Sequence, residues 1–108
     1  MIILQNADDF KAYVDQAPVL LIEIGSKTCA PCGAIQNRIE LWHQAHPESQ
    51  YLYIPVEQFR DLCAQLGIFS VPVVLVYVQG KLTLRECGFF GLNELLSKVE
   101  YYLHILQN

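Results

Sequence analysis

The stretch Val19-Leu20-Leu21-Ile22-Glu23-Ile24-Gly25-Ser26-Lys27-Thr28-Cys29-Ala30-Pro31-Cys32 decides how this chain folds. Its first six residues are apolar everywhere but at Glu23, the pattern of a central strand covered on both faces. Gly25 to Thr28 break the run. A helix is predicted from about Pro31 to His43, with Ile35, Ile39 and Trp42 on one side. Pro31 suits the first turn of that helix, where a missing N–H has no intrahelical partner to lose. A strand thus runs into a helix, with two cysteines at the junction.

Toward the N-terminus, Ile2 to Leu4 reads as a short strand. Asn6 reads as the N-cap of a helix with Asp8 and Asp9 in its first turn, where acidic groups suit the dipole. Phe10, Val14 and Ala17 form its apolar stripe, and Pro18 ends it. Beyond the central helix, Tyr51 to Val56 reads as a strand, and Glu57 to Leu66 as a short helix closed by Gly67. Val73 to Val78 is a second continuous apolar run. Gln79-Gly80 is a turn, and Leu82 to Cys87 alternates, so an antiparallel hairpin is expected. A last helix from about Gly91 to Asn93 onward carries Leu92, Leu95, Leu96, Val99, Leu103 and Leu106. The order βαβαβα followed by ββα calls for an α/β fold, helices covering both faces of a mixed sheet. Residues 1–108 are expected to form one domain, a length that builds its own core.

Composition narrows the function. The chain is 53% hydrophobic and 17% charged, which is globular, with a net charge of −4 and no Lys/Arg run, which argues against nucleic-acid binding. No apolar stretch is long enough to span a bilayer. Met1 to Phe10 meets Asp8 and Asp9 at once and lacks the basic start and cleavage site of a signal peptide, so a cytoplasmic location is expected.

The chemistry lies in Cys29 and Cys32. Their spacing places both sulfurs in the first turn of the helix, close enough to close a small disulfide ring. The first cysteine sits where unpaired backbone N–H groups and the helix dipole favour negative charge. A thiolate there has a lowered pKa and is the nucleophile, so Cys29 is the expected attacking residue and Cys32 the resolving one. A zinc half-site is the competing reading. It needs partners, and Cys63, Cys87, His43, His46 and His104 stand singly, with no second Cys-x-x-Cys and no His-x-x-x-His. A working dithiol in a reducing compartment is therefore favoured, with no bound metal and no cofactor beyond the Cys29–Cys32 disulfide.

Thr28-Cys29-Ala30-Pro31-Cys32, Gly67-Ile68 and Val71-Pro72, with Gly80 and Gly88 further on, resemble the thioredoxin family over nearly the whole chain. The resemblance implies the thioredoxin fold, a central mixed sheet of four or five strands flanked by helices on both faces, and a cis peptide before Pro72. It also implies a thiol–disulfide oxidoreductase with a part in cell redox homeostasis. The Cys29/Cys32 pair would reduce disulfides in partner proteins, and a flavin-dependent reductase would supply the electrons. Thr28, Ala30, Pro31, Val71, Pro72, Gly88 and Phe89 would then contact the substrate, the Val71 backbone pairing with it as a strand does. A monomer without nucleic-acid or membrane partners is expected. A non-catalytic interaction module, or a redox sensor using Cys87, is the alternative.

Departures from the family pattern set further expectations. Thr28 and Gly25 stand where thioredoxins carry tryptophans, and the chain's tryptophan, Trp42, lies elsewhere. Glu23 falls where the family has a buried Asp. In an apolar strand its pKa should rise, fitting a proton acceptor for Cys32, whereas a position at the strand end would leave it partly solvated. Tyr53 replaces the family lysine beside that carboxylate. Cys87 is read as a small apolar residue packed in a groove, or else as a third thiol near Cys29. Cys63 is read as a buried structural thiol. Phe89 and Phe90 would rebuild the apolar patch the tryptophans left, unless one turns into the core against Leu92. His43 and His46 are expected in solvent at a helix end, and Tyr101-Tyr102 to pack or snorkel on the last helix.

Overall fold

The first apolar run forms strand β2 (Val19–Gly25), buried at every position. The computed structural model describes residues 1–107. β2 lies at the middle of a five-stranded sheet of order β1-β3-β2-β4-β5, with β1 at Ile2–Ile3, β3 at Gln50–Pro55, β4 at Val73–Val78 and β5 at Lys81–Cys87. β2 and β3 are parallel, as are β1 and β3. β4 is antiparallel to both β2 and β5. The sheet is therefore mixed, as the element order required.

Successive residues of a strand point to opposite faces, and the two apolar runs show why both faces are covered. Leu20, Ile22 and Ile24 of β2, with Val73, Leu75 and Tyr77 of β4, pack with helices α1 (Phe10–Gln16) and α3 (Arg60–Gln65). Val19 and Leu21, with Val74 and Val76, pack with α2 (Ala30–Ala45) and α4 (Leu92–Gln107). Each of these side chains is worth roughly 1.5–3 kcal/mol on burial. Glu23 occupies the next position on the second face and is itself completely buried.

The ends of the elements follow local chemistry. The Asn6 side chain accepts from Asp8 N, but the first turn is a 3-10 helix over Ala7–Asp9 before α1 begins. The helix expected over 57–66 is split: a 3-10 turn spans Val56–Gln58, Phe59 leaves helical geometry, and α3 starts at Arg60. Phe59 is drawn against the core cluster beneath α1 and α3, and that packing overrides continuous helix. α3 ends with Gly67 N donating to Ala64 O and Ile68 N to Cys63 O, the paired bonds of a Schellman cap. Arg85 on β5 donates to the carbonyls of Leu66 and Gly67 as well. In the β4–β5 turn, Gln79 and Gly80 both adopt positive φ, 50° and 82°, as a twist-matched two-residue hairpin requires.

Two expectations about α2 and α4 are corrected. His43 and His46 are half-buried: His43 Nδ1 bonds Ser49 Oγ, and His46 stacks on Trp42 and pairs with Glu100 of α4. Trp42 Nε1 donates to the same Glu100, so the end of α2 is tied to α4. Leu106 lies beyond the last turn that meets the sheet and is exposed, whereas Leu92, Leu95, Leu96, Val99 and Leu103 are buried. Tyr101 is exposed and meets the half-buried Tyr102 edge-on.

Candidate active site

At the C-terminal end of β2 the chain turns through Ser26 to Thr28 and enters α2 at Ala30. Cys29 caps that helix with extended backbone, and Pro31 lies in its first turn. The turn is held by a short chain of polar groups. Thr28 Oγ1 lies 3.1 Å from Ser26 Oγ, and Ser26 Oγ donates to Glu57 Oε2 at 2.8 Å. Thr28 N also donates to Ser26 Oγ, and Cys29 N to Ser26 O. The Ser26 hydroxyl holds the Glu57 carboxyl below its usual range.

Cys29 and Cys32 are joined in a disulfide, Cα to Cα 5.3 Å. The two sulfurs differ in access: Cys29 is partly exposed and Cys32 is buried. An incoming group reaches Cys29, and Cys32 faces inward. The Val71–Pro72 peptide is cis, as the family resemblance implied. Val71 shares with Cys29 and Thr28 the wall of a cavity of about 360 Å³, which Val56, Ile68 and Phe69 also line. Phe69 is strongly exposed at its rim. Gly88 N donates to Pro72 O at 3.1 Å, and Gly88 takes φ +68°, which brings the loop after β5 against the proline.

Of the predicted substrate contacts, Thr28 and Val71 meet with Cys29 around one cavity, Ala30 and Pro31 are exposed on the first turn of α2, and Gly88 abuts Pro72. Phe89 is fully exposed and lines a separate hollow with Leu84 and Lys98. Phe90 instead packs with the core cluster that contains Leu92, so the pair divides between surface and core. Cys87 is a correction: as the last residue of edge strand β5 its thiol is free and exposed, not packed in a groove. Cys63 is free and buried, burial pushes its thiol up, and it lines the cavity next to Cys29.

Glu23 stands on β2 two residues before Gly25. It is fully buried, which removes the alternative of a solvated strand end. Burial raises its carboxyl to about 7, opposed by a hydrogen bond from Tyr51. Tyr51 OH donates to Oε1 at 2.9 Å, and Oε2 is buried without a partner. Tyr51 is itself held neutral, its hydroxyl pushed far up by burial and by Glu23. Sequence reasoning missed this tyrosine. The available signal was its place on β3, two residues before Tyr53, which alternation puts on the same face as Glu23. It also missed the reason for Gly25: a Cβ there would lie 2.7 Å from the Tyr53 hydroxyl, which fills the space.

Among the described residues no cluster of three or more His, Cys, Asp or Glu is arranged to hold a metal, and no helix is long and apolar enough to cross a membrane. The thioredoxin family profile matches residues 1–100. The chain is 28% identical over 78 residues to thioredoxin-2 of Pyricularia oryzae, covering 72% of this chain and 46%, about half, of that protein. It is 22% identical to thioredoxin-1 of Schizosaccharomyces pombe, covering 72% of this chain and 76% of that one. A thioredoxin-like protein of Bacillus subtilis is 23% identical over 90% of this chain and 87% of its own length. The solved thioredoxins of Plasmodium falciparum and Fasciola hepatica superpose with TM-scores of 0.83 at 19% identity, each covering 94% of this chain and 99% of theirs.

Proposed function

This chain belongs to the thioredoxin family of thiol–disulfide oxidoreductases, and we propose that it acts as a single domain that reduces disulfides in partner proteins through Cys29 and Cys32. One observation carries the reading: a disulfide at the start of a helix, with one sulfur accessible and its partner buried.

The reaction runs in two displacements. The Cys29 thiolate attacks one sulfur of the substrate disulfide, forming a mixed disulfide and releasing the other sulfur as a thiolate. Cys32 then loses its proton and attacks Cys29 Sγ. The bond between Cys29 and the substrate breaks, the second substrate thiolate leaves, and the Cys29–Cys32 disulfide closes. Two electrons pass from the dithiol to the substrate. Glu23, buried and with a carboxyl held near neutral pH, is the acceptor for the Cys32 proton. Thr28, Ala30, Pro31, Val71, Pro72 and Gly88 form the contact surface around Cys29, and Phe89 extends it as a separate apolar anchor. The Val71 backbone pairs with the extended substrate.

A flavin-dependent reductase returns the pair to the dithiol, and the chain works as a monomer in the cytoplasm as part of cell redox homeostasis. The unpaired Cys63 and the exposed Cys87 are in keeping with a reducing compartment. The deciding experiment equilibrates the protein, with Cys63→Ala and Cys87→Ser, against glutathione or dithiothreitol buffers. A reduction potential near about −270 mV supports a reductase, whereas one near about −120 to −180 mV means an oxidant or isomerase. No reversible two-electron couple would leave a non-catalytic interaction module.

A further inference from the structure

We propose that the Tyr53 hydroxyl is a proton relay for the resolving step, handing the Cys32 proton to the free oxygen of Glu23. The inference rests on the reading of Glu23 as proton acceptor and adds the route by which the proton arrives.

The geometry comes from Gly25. A Cβ built on this buried glycine would lie 2.7 Å from Tyr53 Oη, 3.1 Å from Cys32 Cβ and 3.2 Å from Cys32 Sγ. The hydroxyl and the resolving sulfur therefore flank the same point. The two legs, 2.7 Å and 3.2 Å, cap their separation at about 6 Å, a span one water bridges. Any side chain at position 25 would drive the hydroxyl away. Tyr53 and Glu23 are direct partners across the parallel β2–β3 ladder, side by side on one face of the sheet, with neighbouring strands about 4.8 Å apart.

The carboxyl offers one oxygen to the route. Oε1 is engaged by Tyr51 OH, whereas Oε2 is buried with no partner. An orphaned buried oxygen gains by taking a proton, and Oε2 is the oxygen left to do so. Tyr53 is suited to pass that proton on. Burial raises its own hydroxyl, and the negative fields of Glu23 and Glu57 raise it further, so it remains a neutral group that both donates and accepts. The other charged groups acting on this cluster are Glu40 on Tyr51, and Lys27, which offsets Glu57.

In the step, the Cys32 S–H bond breaks and its proton goes to Tyr53 Oη, directly or through one water. The phenolic O–H bond breaks in the same movement, and its proton goes to Glu23 Oε2 through a second water or after the hydroxyl swings onto that oxygen, which has no partner while the disulfide is closed. The phenol is regenerated, the carboxylate becomes a carboxylic acid, and the electron pair left on Cys32 Sγ attacks Cys29 Sγ.

The test uses the full chain carrying Cys87→Ser, reduced and mixed in stopped flow with limiting 5,5′-dithiobis(2-nitrobenzoate). Attack by Cys29 releases the first coloured thiolate, and attack by Cys32 releases the second. Tyr53→Phe is expected to leave the first release unchanged and to slow the second about tenfold near pH 6–7. The gap should close by about pH 10, where hydroxide ionises Cys32 unaided. An unchanged second release overturns the proposal. Equal slowing at every pH does so too, because that is the mark of a packing defect. Glu23→Gln, run beside it, separates the two ideas. If it slows the second release and Tyr53→Phe does not, the carboxyl is the base without the tyrosine. If neither variant slows it, the reading of Glu23 itself falls.

Discussion

Replacing Glu23 by Gln should make the oxidised protein more stable at alkaline pH and leave it unchanged in acid. Glu23 is completely buried on the central strand, and its carboxyl is raised from 4.5 to about 7. In the unfolded chain the group ionises through 4.5, while the folded protein keeps its proton up to about 7. Between those values the folded state binds more protons, so stability falls as pH rises. At about 1.4 kcal/mol per pH unit, the loss is complete above pH 8 and amounts to roughly 3 kcal/mol. Below pH 4 both states are protonated and the group contributes its full stability. Gln has the shape of the protonated acid, and its amide oxygen can accept from Tyr51 OH, but it never ionises. The difference between Glu23→Gln and the parent should therefore be near zero at pH 4 and grow to roughly 3 kcal/mol by pH 8.5, a shift of about 1 M in the guanidinium midpoint. The assay is guanidinium unfolding of the disulfide-closed protein at several pH values, in which the other titrating groups cancel between the two chains. A difference that stays flat from pH 4 to 8.5, or that reverses sign, would refute the reasoning that burial dominates this carboxyl.

Other consequences are open to direct measurement. Cys32→Ser should trap a mixed disulfide on Cys29 when the protein meets a disulfide substrate, whereas Cys29→Ser should trap none; mass spectrometry of the quenched mixture reads the difference. Tyr51→Phe removes the hydrogen bond that lowers the Glu23 carboxyl, so a carbon-13 titration of that carboxyl should move above 7, with a stability loss of about 1 kcal/mol or more at pH 8. Gly25→Ala places a methyl against the Tyr53 hydroxyl and Cys32 and should cost about 1–3 kcal/mol in denaturant unfolding, as overpacking does. Arg85→Ala should cost about 1 kcal/mol, since its guanidinium holds the carbonyls that end α3 but is largely exposed.

Much of the architecture was legible in the chain because periodicity and turn residues act locally. The two apolar runs, the first interrupted only by Glu23, became β2 and β4, interior strands of the sheet. The six-residue span Val73–Val78 was read to the residue. The helix after the dithiol came out only slightly short, because Pro31 marks its start and the His46-Pro47 step bars its continuation. Where local signals met tertiary packing, packing prevailed. Phe59 breaks the predicted helix over 57–66 by turning to the core, and His46 leaves solvent to stack on Trp42. Cys87, read as a small residue packed in a groove or else as a third thiol near Cys29, is exposed at the end of edge strand β5.

The candidate site divides along the same line. Two cysteines three apart at a strand-to-helix junction, a carboxyl in an apolar strand and a proline ahead of a second apolar run stand in the sequence, because each depends on residue type and spacing alone. The chain's linear order cannot say which oxygen of Glu23 is tied and which is free, or that the Tyr53 hydroxyl fills the room left by Gly25. Those facts depend on the register between β2 and β3, strands separated by a 16-residue helix. Register is a global property, set by how two sheet faces bury their side chains together. The dithiol was thus written in the primary structure, and the environment that tunes it was decided by the packing of the sheet.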